Sequence, residues 1–186
     1  ITCRAFTDQP VSEAEVRAVL EGAKWAPSGG NLQPWHVYVI AGKKREEFLE
    51  LIAERQKTTP FGDGSEYPIY PKDLNVPRED KTGRLMQFAR NFRAFDAPVI
   101  LFFAIDRQMG VDQWADLGMF TQSVMLMARE QGLHTAAQEA WAIWPKAIAE
   151  FVNMPEELML FCGMGLGYMD ETAPINSLRT DRAPLE

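Results

Sequence analysis

From Ala97 to Ile105 the chain reads Ala-Pro-Val-Ile-Leu-Phe-Phe-Ala-Ile, a run without a single charge or hydrogen-bonding side chain. A strand of this composition offers no face to water, so both of its faces must be covered by other elements. A chain of 186 residues with 46% hydrophobic and 11% aromatic content has room for one domain with a core that does this.

The rest of the pattern supplies the cover. Ser12 with Glu15 three residues later makes a capping box, and Val16, Val19, Leu20 and Ala23 repeat at helical spacing, which predicts a helix from about 13 to 26 ended by Pro27. Val37–Ile40 reads as a short strand, Lys43–Lys57 as a helix through Phe48, Leu51 and Ile52, and Arg84–Phe95 as another. Pro145 opens a short helix to about Val152, and Leu158–Gly163 reads as a last core strand. Between Thr58 and Pro77, Pro60, Gly62, Gly64, Pro68, Pro71 and Pro77 interrupt any period, with Tyr67 and Tyr70 among them, so the segment is expected to be a mobile covering loop. Helices and strands interleave irregularly, which fits α+β better than a doubly wound α/β sheet.

The predicted helix Asp112–Gln131 is apolar on more than one side. Trp114, Leu117, Phe120 and Val124 fall on one line, and Met119, Met125 and Leu126 on others. Such a helix needs cover all round, either as the central core helix of a monomer or with a partner subunit supplying part of it.

Charge and cysteine content narrow the function. A net charge of −7 and a pI near 5.0 argue against nucleic acid and anionic membrane surfaces, both of which select basic faces. Cys3 and Cys162 stand far apart in unlike contexts, and His36 and His134 have no cysteine or carboxylate at metal spacing, so neither a disulfide framework nor a metal site is expected. Ser28, His134 and an aspartate lack the G-x-S-x-G elbow of a hydrolase. No transmembrane-length apolar stretch or signal-peptide pattern is present, and a cytoplasmic protein is expected.

Chemistry is expected at Ala26-Pro27-Ser28-Gly29-Gly30-Asn31-Leu32-Gln33-Pro34-Trp35, a loop with two glycines between two prolines, directly before the strand. Proline fixes φ at its two ends, and Gly29 and Gly30 allow positive φ and close approach of a flat ligand to the backbone. The loop matches neither G-x-G-x-x-G nor the P-loop pattern, and taken alone it reads equally as a helix-to-strand connection.

The chain opens with Thr2-Cys3-Arg4-Ala5-Phe6 and closes with Asn176-Ser177-Leu178-Arg179-Thr180-Asp181-Arg182. Between them stand Phe95-Asp96-Ala97-Pro98-Val99, Gly132-Leu133-His134-Thr135-Ala136-Ala137-Gln138-Glu139 and Gly165-Leu166-Gly167-Tyr168. Together with the glycine loop, in this order and spacing, these motifs make the chain resemble the FMN-dependent nitroreductase family nearly end to end. The resemblance implies a mixed, mostly antiparallel sheet flanked by helices, and an intertwined homodimer with the flavin at the subunit interface. Relatives carry a further arginine immediately before the position of Ile1 and a longer stretch between Pro71 and Val76, two departures from the pattern.

The resemblance also assigns cofactor-binding residues. Thr2, Cys3, Arg4 and Arg182 fall at the phosphate end, where a guanidinium fork matches phosphate oxygens, although Arg4 and Arg182 are also two of 19 basic residues. Pro27, Ser28, Gly29, Asn31 and Gln33 match the loop that meets the flavin edge from the neighbouring subunit; Ser28 capping a turn and Asn31 in a left-handed conformation are the local alternatives. Ala137, Gln138 and Glu139 match the segment whose backbone lies over the reactive nitrogen, with the Glu139 carboxylate equally readable as a solvated helix-start residue. Trp141, Trp144, Tyr67, Tyr70 and Phe120 are candidates for an aromatic wall, or for core.

The implied activity is hydride transfer from NADH or NADPH to FMN, then reduction of a small electron-poor acceptor such as a nitroaromatic or quinone, alternately in one pocket. No side chain is expected to act as the catalyst, since the flavin carries the chemistry. A flavin-binding or sensory module without turnover, and a reductive dehalogenase of the same fold, are the alternatives.

Overall fold

The computed structural model describes residues 1–67, 86 and 88–179. Residues 68–85, 87 and 180–186 lie outside it, and with them Tyr70, Arg182, the later part of the Thr58–Pro77 segment and the start of the helix expected at Arg84.

Four strands, β1 (Trp35–Ala41), β2 (Val99–Asp106), β3 (His134–Gln138) and β4 (Leu158–Gly167), form one sheet in the order β1-β2-β4-β3. Every pairing is antiparallel, so α+β holds, with no parallel pair among the described residues. The helices are α1 (Glu13–Ala23), α2 (Gly42–Thr58), α3 (Val111–Glu130) and α4 (Pro145–Val152). None of them is long and apolar enough to cross a membrane.

The uncharged run becomes β2, an inner strand, and its alternation divides the core in two. Ile100 and Phe102 join Phe48, Ile52, Trp141, Trp144 and Ile148 on the α2 and α4 side. Val99, Leu101, Phe103 and Ile105 join Val16, Val19, Leu117, Phe120 and Val124 on the α1 and α3 side. Covering both faces of an antiparallel sheet with helices gives three layers, as the strand's composition requires.

Local chemistry sets the boundaries. Ser12 caps α1 reciprocally with Glu15, and the helix ends at Ala23 because Ala26 bonds back only three residues, at 2.9 Å to Ala23. β4 runs four residues past the expected Gly163. Glycine is a poor strand former, but Gly163, Gly165 and Gly167 alternate on one face, where an added Cβ would stand 2.4 Å from Trp141 Cδ1, 2.9 Å from the Ala94 carbonyl and 2.5 Å from Pro98 Cδ. The missing side chains are the space those neighbours occupy.

The helix expected to reach Phe95 instead ends as a 3-10 stretch, Arg90–Asp96, with Ala94, Phe95 and Asp96 at φ of 49°, 52° and 68°. Pro98 disfavours a helical residue before it. Gln138 fixes the turn by donating Nε2 to the Asn91 carbonyl at 2.8 Å. The first part of the expected covering loop is tied down: the Asp63 carboxylate accepts the Lys146 and Ala147 N–H groups at 3.3 and 2.7 Å, at the start of α4.

Candidate functional site

β3 is an edge strand, and its outer edge is where the site begins. The Cys3 N–H donates to the Thr135 carbonyl at 2.9 Å, so Thr135 directs its backbone groups away from β4. In an antiparallel strand this alternates by residue, and Ala137 therefore presents its N–H and C=O on the same outer edge. Those groups have no backbone partner among the described residues. Gln138 pairs with Gly163 of β4 and turns its side chain inward; it is 3% exposed and its Oε1 accepts from Trp141 Nε1 at 3.2 Å.

A cavity of 410 Å³ opens beside this edge, lined by Ala137, Gln138 and Glu139, by Phe161 and Cys162 of β4, and by Thr121 and Met125 among others from α3. The volume lies in the range of small-molecule sites, about 300–1,000 Å³. A second cavity of 280 Å³, with Thr2, Arg129 and Thr135 in its wall, shares Gln122, Met125 and Ala137 with the first. The two are adjoining parts of one groove between α3 and β3.

The groove is mostly apolar. Burial pushes the Cys162 thiol far up, and the Glu139 carboxylate adds to the shift, so the thiol stays protonated. Tyr67 donates its hydroxyl to the Phe161 carbonyl and packs against the Trp114 and Phe161 rings with centroids 5.7 and 6.3 Å away. It backs the groove wall. Trp141 and Trp144 are buried beneath the sheet, and Phe120 stacks on Trp35 at 4.6 Å, so these three are core.

The expected site residues fall in three places. Thr2, Ala137, Gln138 and Glu139 line the groove. Cys3 and Arg4 lie beside it: Cys3 is buried, with Sγ donating to the Ala5 carbonyl at 3.1 Å, and the Arg4 N–H donates to Asn176 Oδ1 at 2.8 Å. Asn176 in turn donates to the Ala5 carbonyl at 2.8 Å, which brings the two ends of the chain together as far as Arg179. Arg182 lies outside the described residues.

The glycine loop stands apart. Asn31 and Gln33 line a separate cavity of 290 Å³ with Lys24, Trp25 and Ala26. Gly30, Asn31 and Gln33 have positive φ of 59°, 56° and 49°. The Ser28 hydroxyl accepts the Gln33 N–H at 3.0 Å, and Gln33 Nε2 donates to Asn31 Oδ1 at 3.0 Å, so the loop is braced internally. Gly29 donates to Asp116 of α3.

Reading the sequence alone gives no site role to Gln122, Thr121, Phe161, Cys162, Asp116 or Arg129. Asp116 and Gln122 are visible as polar residues inside an apolar helix; Phe161 and Cys162 carry no such mark.

Comparison with known proteins places this arrangement. The chain is 36% identical to the nitrobenzene nitroreductase of Ectopseudomonas oleovorans, over 98% of this chain and 89% of the relative. It is 35% identical to the chloronitrobenzene nitroreductase of Comamonas testosteroni, over 100% of this chain and 90% of the relative. The crystal structure of the FMN and NADPH-dependent nitroreductase NfnB from Sphigopyxis sp. strain HMH superposes with a TM-score of 0.91 at 38% identity, covering 99% of this chain and 91% of that one. Residues 1–168 match the family described as the Nitroreductase family, and the chain belongs to it.

Proposed function

We propose that the protein is an FMN-dependent oxidoreductase that takes hydride from NADH or NADPH and reduces nitroaromatic or related electron-poor compounds. The observation that carries this reading is the groove whose floor is the outer edge of β3, in a chain similar over its whole length to an FMN and NADPH-dependent nitroreductase and to nitrobenzene and chloronitrobenzene nitroreductases.

The residues suit the group. An isoalloxazine needs a flat apolar slot with backbone donors along one edge, and Phe161, Met125 and the Ala137 edge have that character. Bound FMN would accept two electrons with a proton from the nicotinamide and pass them to the acceptor. The chain's part is to hold and insulate. The outward Ala137 N–H offers a fixed dipole that stabilises negative charge without a titrating side chain. Phe161 and Met125 exclude water, and the protonated Cys162 thiol leaves no competing nucleophile. Thr2, Arg4 and Arg182 are assigned to the phosphate end.

We further propose that two copies complete the site. Pro27, Ser28, Gly29, Asn31 and Gln33 do not line the groove of their own chain, and the outer face of α3 leaves Met119 and Leu126 exposed at 40% and 56%. A second copy packed on α3 covers that face and brings its own loop to the groove. Work in the cytoplasm, where reduced nicotinamide is at hand and both cysteines stay free, fits this chemistry.

The test is stopped-flow mixing of the purified yellow protein with NADH or NADPH, then with nitrobenzene. Bleaching of flavin colour followed by its return, with each half-reaction independent of the other substrate, is the expected ping-pong result. A protein that takes up no FMN, or whose flavin neither nicotinamide bleaches, defeats the reading.

A further inference from the structure

The two cavities between α3 and β3 have unlike ends. At one end stand Phe161, Cys162, Gln138 and Glu139; at the other stand Thr2, Thr135 and Arg129. Gln122, Met125 and Ala137 are common to both, so a single elongated ligand can run from the apolar end to the cationic one.

Arg129 belongs to the last turn of α3. Its Nη1 donates to the Leu133 carbonyl at 3.0 Å and lies 3.0 Å from His134 Nδ1, which fixes the fork at the groove's end. Burial and the Arg129 charge both lower the His134 pKa, so the ring adds no second charge at neutral pH. Among the described residues no carboxylate lies within ion-pairing distance of Arg129. In a chain of net charge −7 with 26 acidic residues, a cation fixed at a cavity wall without a carboxylate is set for an anion from outside.

We propose that Arg129, with the Thr2 hydroxyl, forms the anion-binding end of the groove and receives the terminal phosphate monoester of the flavin nucleotide. This rests on the flavin reading above and adds to it a phosphate ligand on α3 that the motifs at the chain ends do not carry. A guanidinium meets phosphate oxygens through two parallel N–H bonds, so an amide in its place keeps donors but loses the charge and the fork.

The experiment titrates flavin-stripped protein with FMN, with riboflavin, which lacks the phosphate, and with FMN in the presence of inorganic phosphate, reading flavin fluorescence. Wild-type protein is expected to prefer FMN, and phosphate to compete. Arg129→Gln is expected to weaken FMN about tenfold or more while riboflavin affinity stays within about twofold; Arg129→Lys recovers part of the loss, since a point charge remains. Equal loss for both flavins marks a structural role and overturns the proposal, as does unchanged FMN affinity in a folded Arg129→Gln protein. If Arg129→Gln does not fold, Arg129→Lys decides alone: it must lower the FMN-to-riboflavin preference, and an unaltered preference overturns the assignment. Wild-type protein that binds neither flavin defeats the flavin reading itself, and this inference with it.

Discussion

Both carboxylate oxygens of Asp116 stand within hydrogen-bonding distance of the Gly29 N–H, at 3.2 and 3.1 Å, clasping the glycine loop to α3. Asp116 is 5% exposed, and a buried carboxylate without a donor is costly. The loop needs the clasp, because Asn31 and Gln33 hold left-handed conformations that side chains disfavour. Asp116→Ala should therefore cost about 1.5–3 kcal/mol, the range for a hydrogen bond to a charged group. Asp116→Asn keeps an acceptor and should retain much of it. Thermal denaturation gives the stabilities and FMN titration the loop's competence; an alanine variant matching wild type in both contradicts the role.

Gly163 lies under Trp141, where an added Cβ would come 2.4 Å from Cδ1 and 3.0 Å from Cγ of a fully buried ring. Trp141 has no room to move: its Nε1 donates to Gln138, and Phe48, Phe92 and Phe102 pack around it with centroids 5.4 to 5.7 Å away. Gly163→Ala is expected to destabilise the fold by about 1–3 kcal/mol, as overpacking does. A urea midpoint unchanged from wild type would show that the ring relaxes freely.

Much of the fold is legible where one local rule decides. The uncharged Val99–Ile105 run, the Ser12–Glu15 box and Pro145 at a first-turn position fix β2 and the starts of α1 and α4. β3 is less visible, because His134-Thr135-Ala136-Ala137-Gln138 has no alternating pattern and becomes a strand by pairing with β4. The run of glycines hides the end of β4 for the same reason: its advantage lies in neighbours distant in sequence. In the site, the motifs point to Thr2 and Ala137–Glu139, whereas Arg129, Asp116 and Cys162 acquire meaning only once α3 and β4 lie beside β3.

The outer stripe of α3 offers a direct test of assembly. Met119 and Leu126 are exposed, two turns apart on one face, and α3 also lines the groove through Gln122, Met125 and Leu126 itself. Met119→Glu, away from the residues that line either cavity, places a charge where a second copy is proposed to pack, and should give a monomer in sedimentation that retains its helical content but holds FMN at least tenfold more weakly, since a buried unpaired charge costs several kcal/mol. A monomer that keeps its flavin contradicts a shared site.

The thiols should be silent. Burial raises Cys3, and burial with Glu139 raises Cys162. At pH 8 the folded protein is expected to react with essentially none of its two cysteines, and with both after denaturation, when a colorimetric thiol reagent is added. Fast labelling of the native protein would mean that the groove admits the reagent and activates Cys162.

Acid stability should track Glu15. Its carboxylate accepts from the Ser12 hydroxyl and N–H at 2.6 and 2.7 Å and from the Tyr168 hydroxyl, which ties the start of α1 to the residue after β4. The Ser12 hydroxyl is the largest cause of its lowered pKa, followed by Tyr168 and the Ser12 backbone. A depressed carboxylate stabilises the fold above its ordinary value of 4.5, and the contribution is lost as pH falls through the lower folded value. Glu15→Gln should thus be less stable than wild type at neutral pH by about 0.5–1 kcal/mol, the partly exposed site limiting the loss. The gap should close as pH falls below the ordinary value of 4.5 and through the lower folded one, because wild type surrenders there what the variant never had. Denaturant midpoints across that range decide it: a constant gap would mean that the cap acts through shape alone, without the charge.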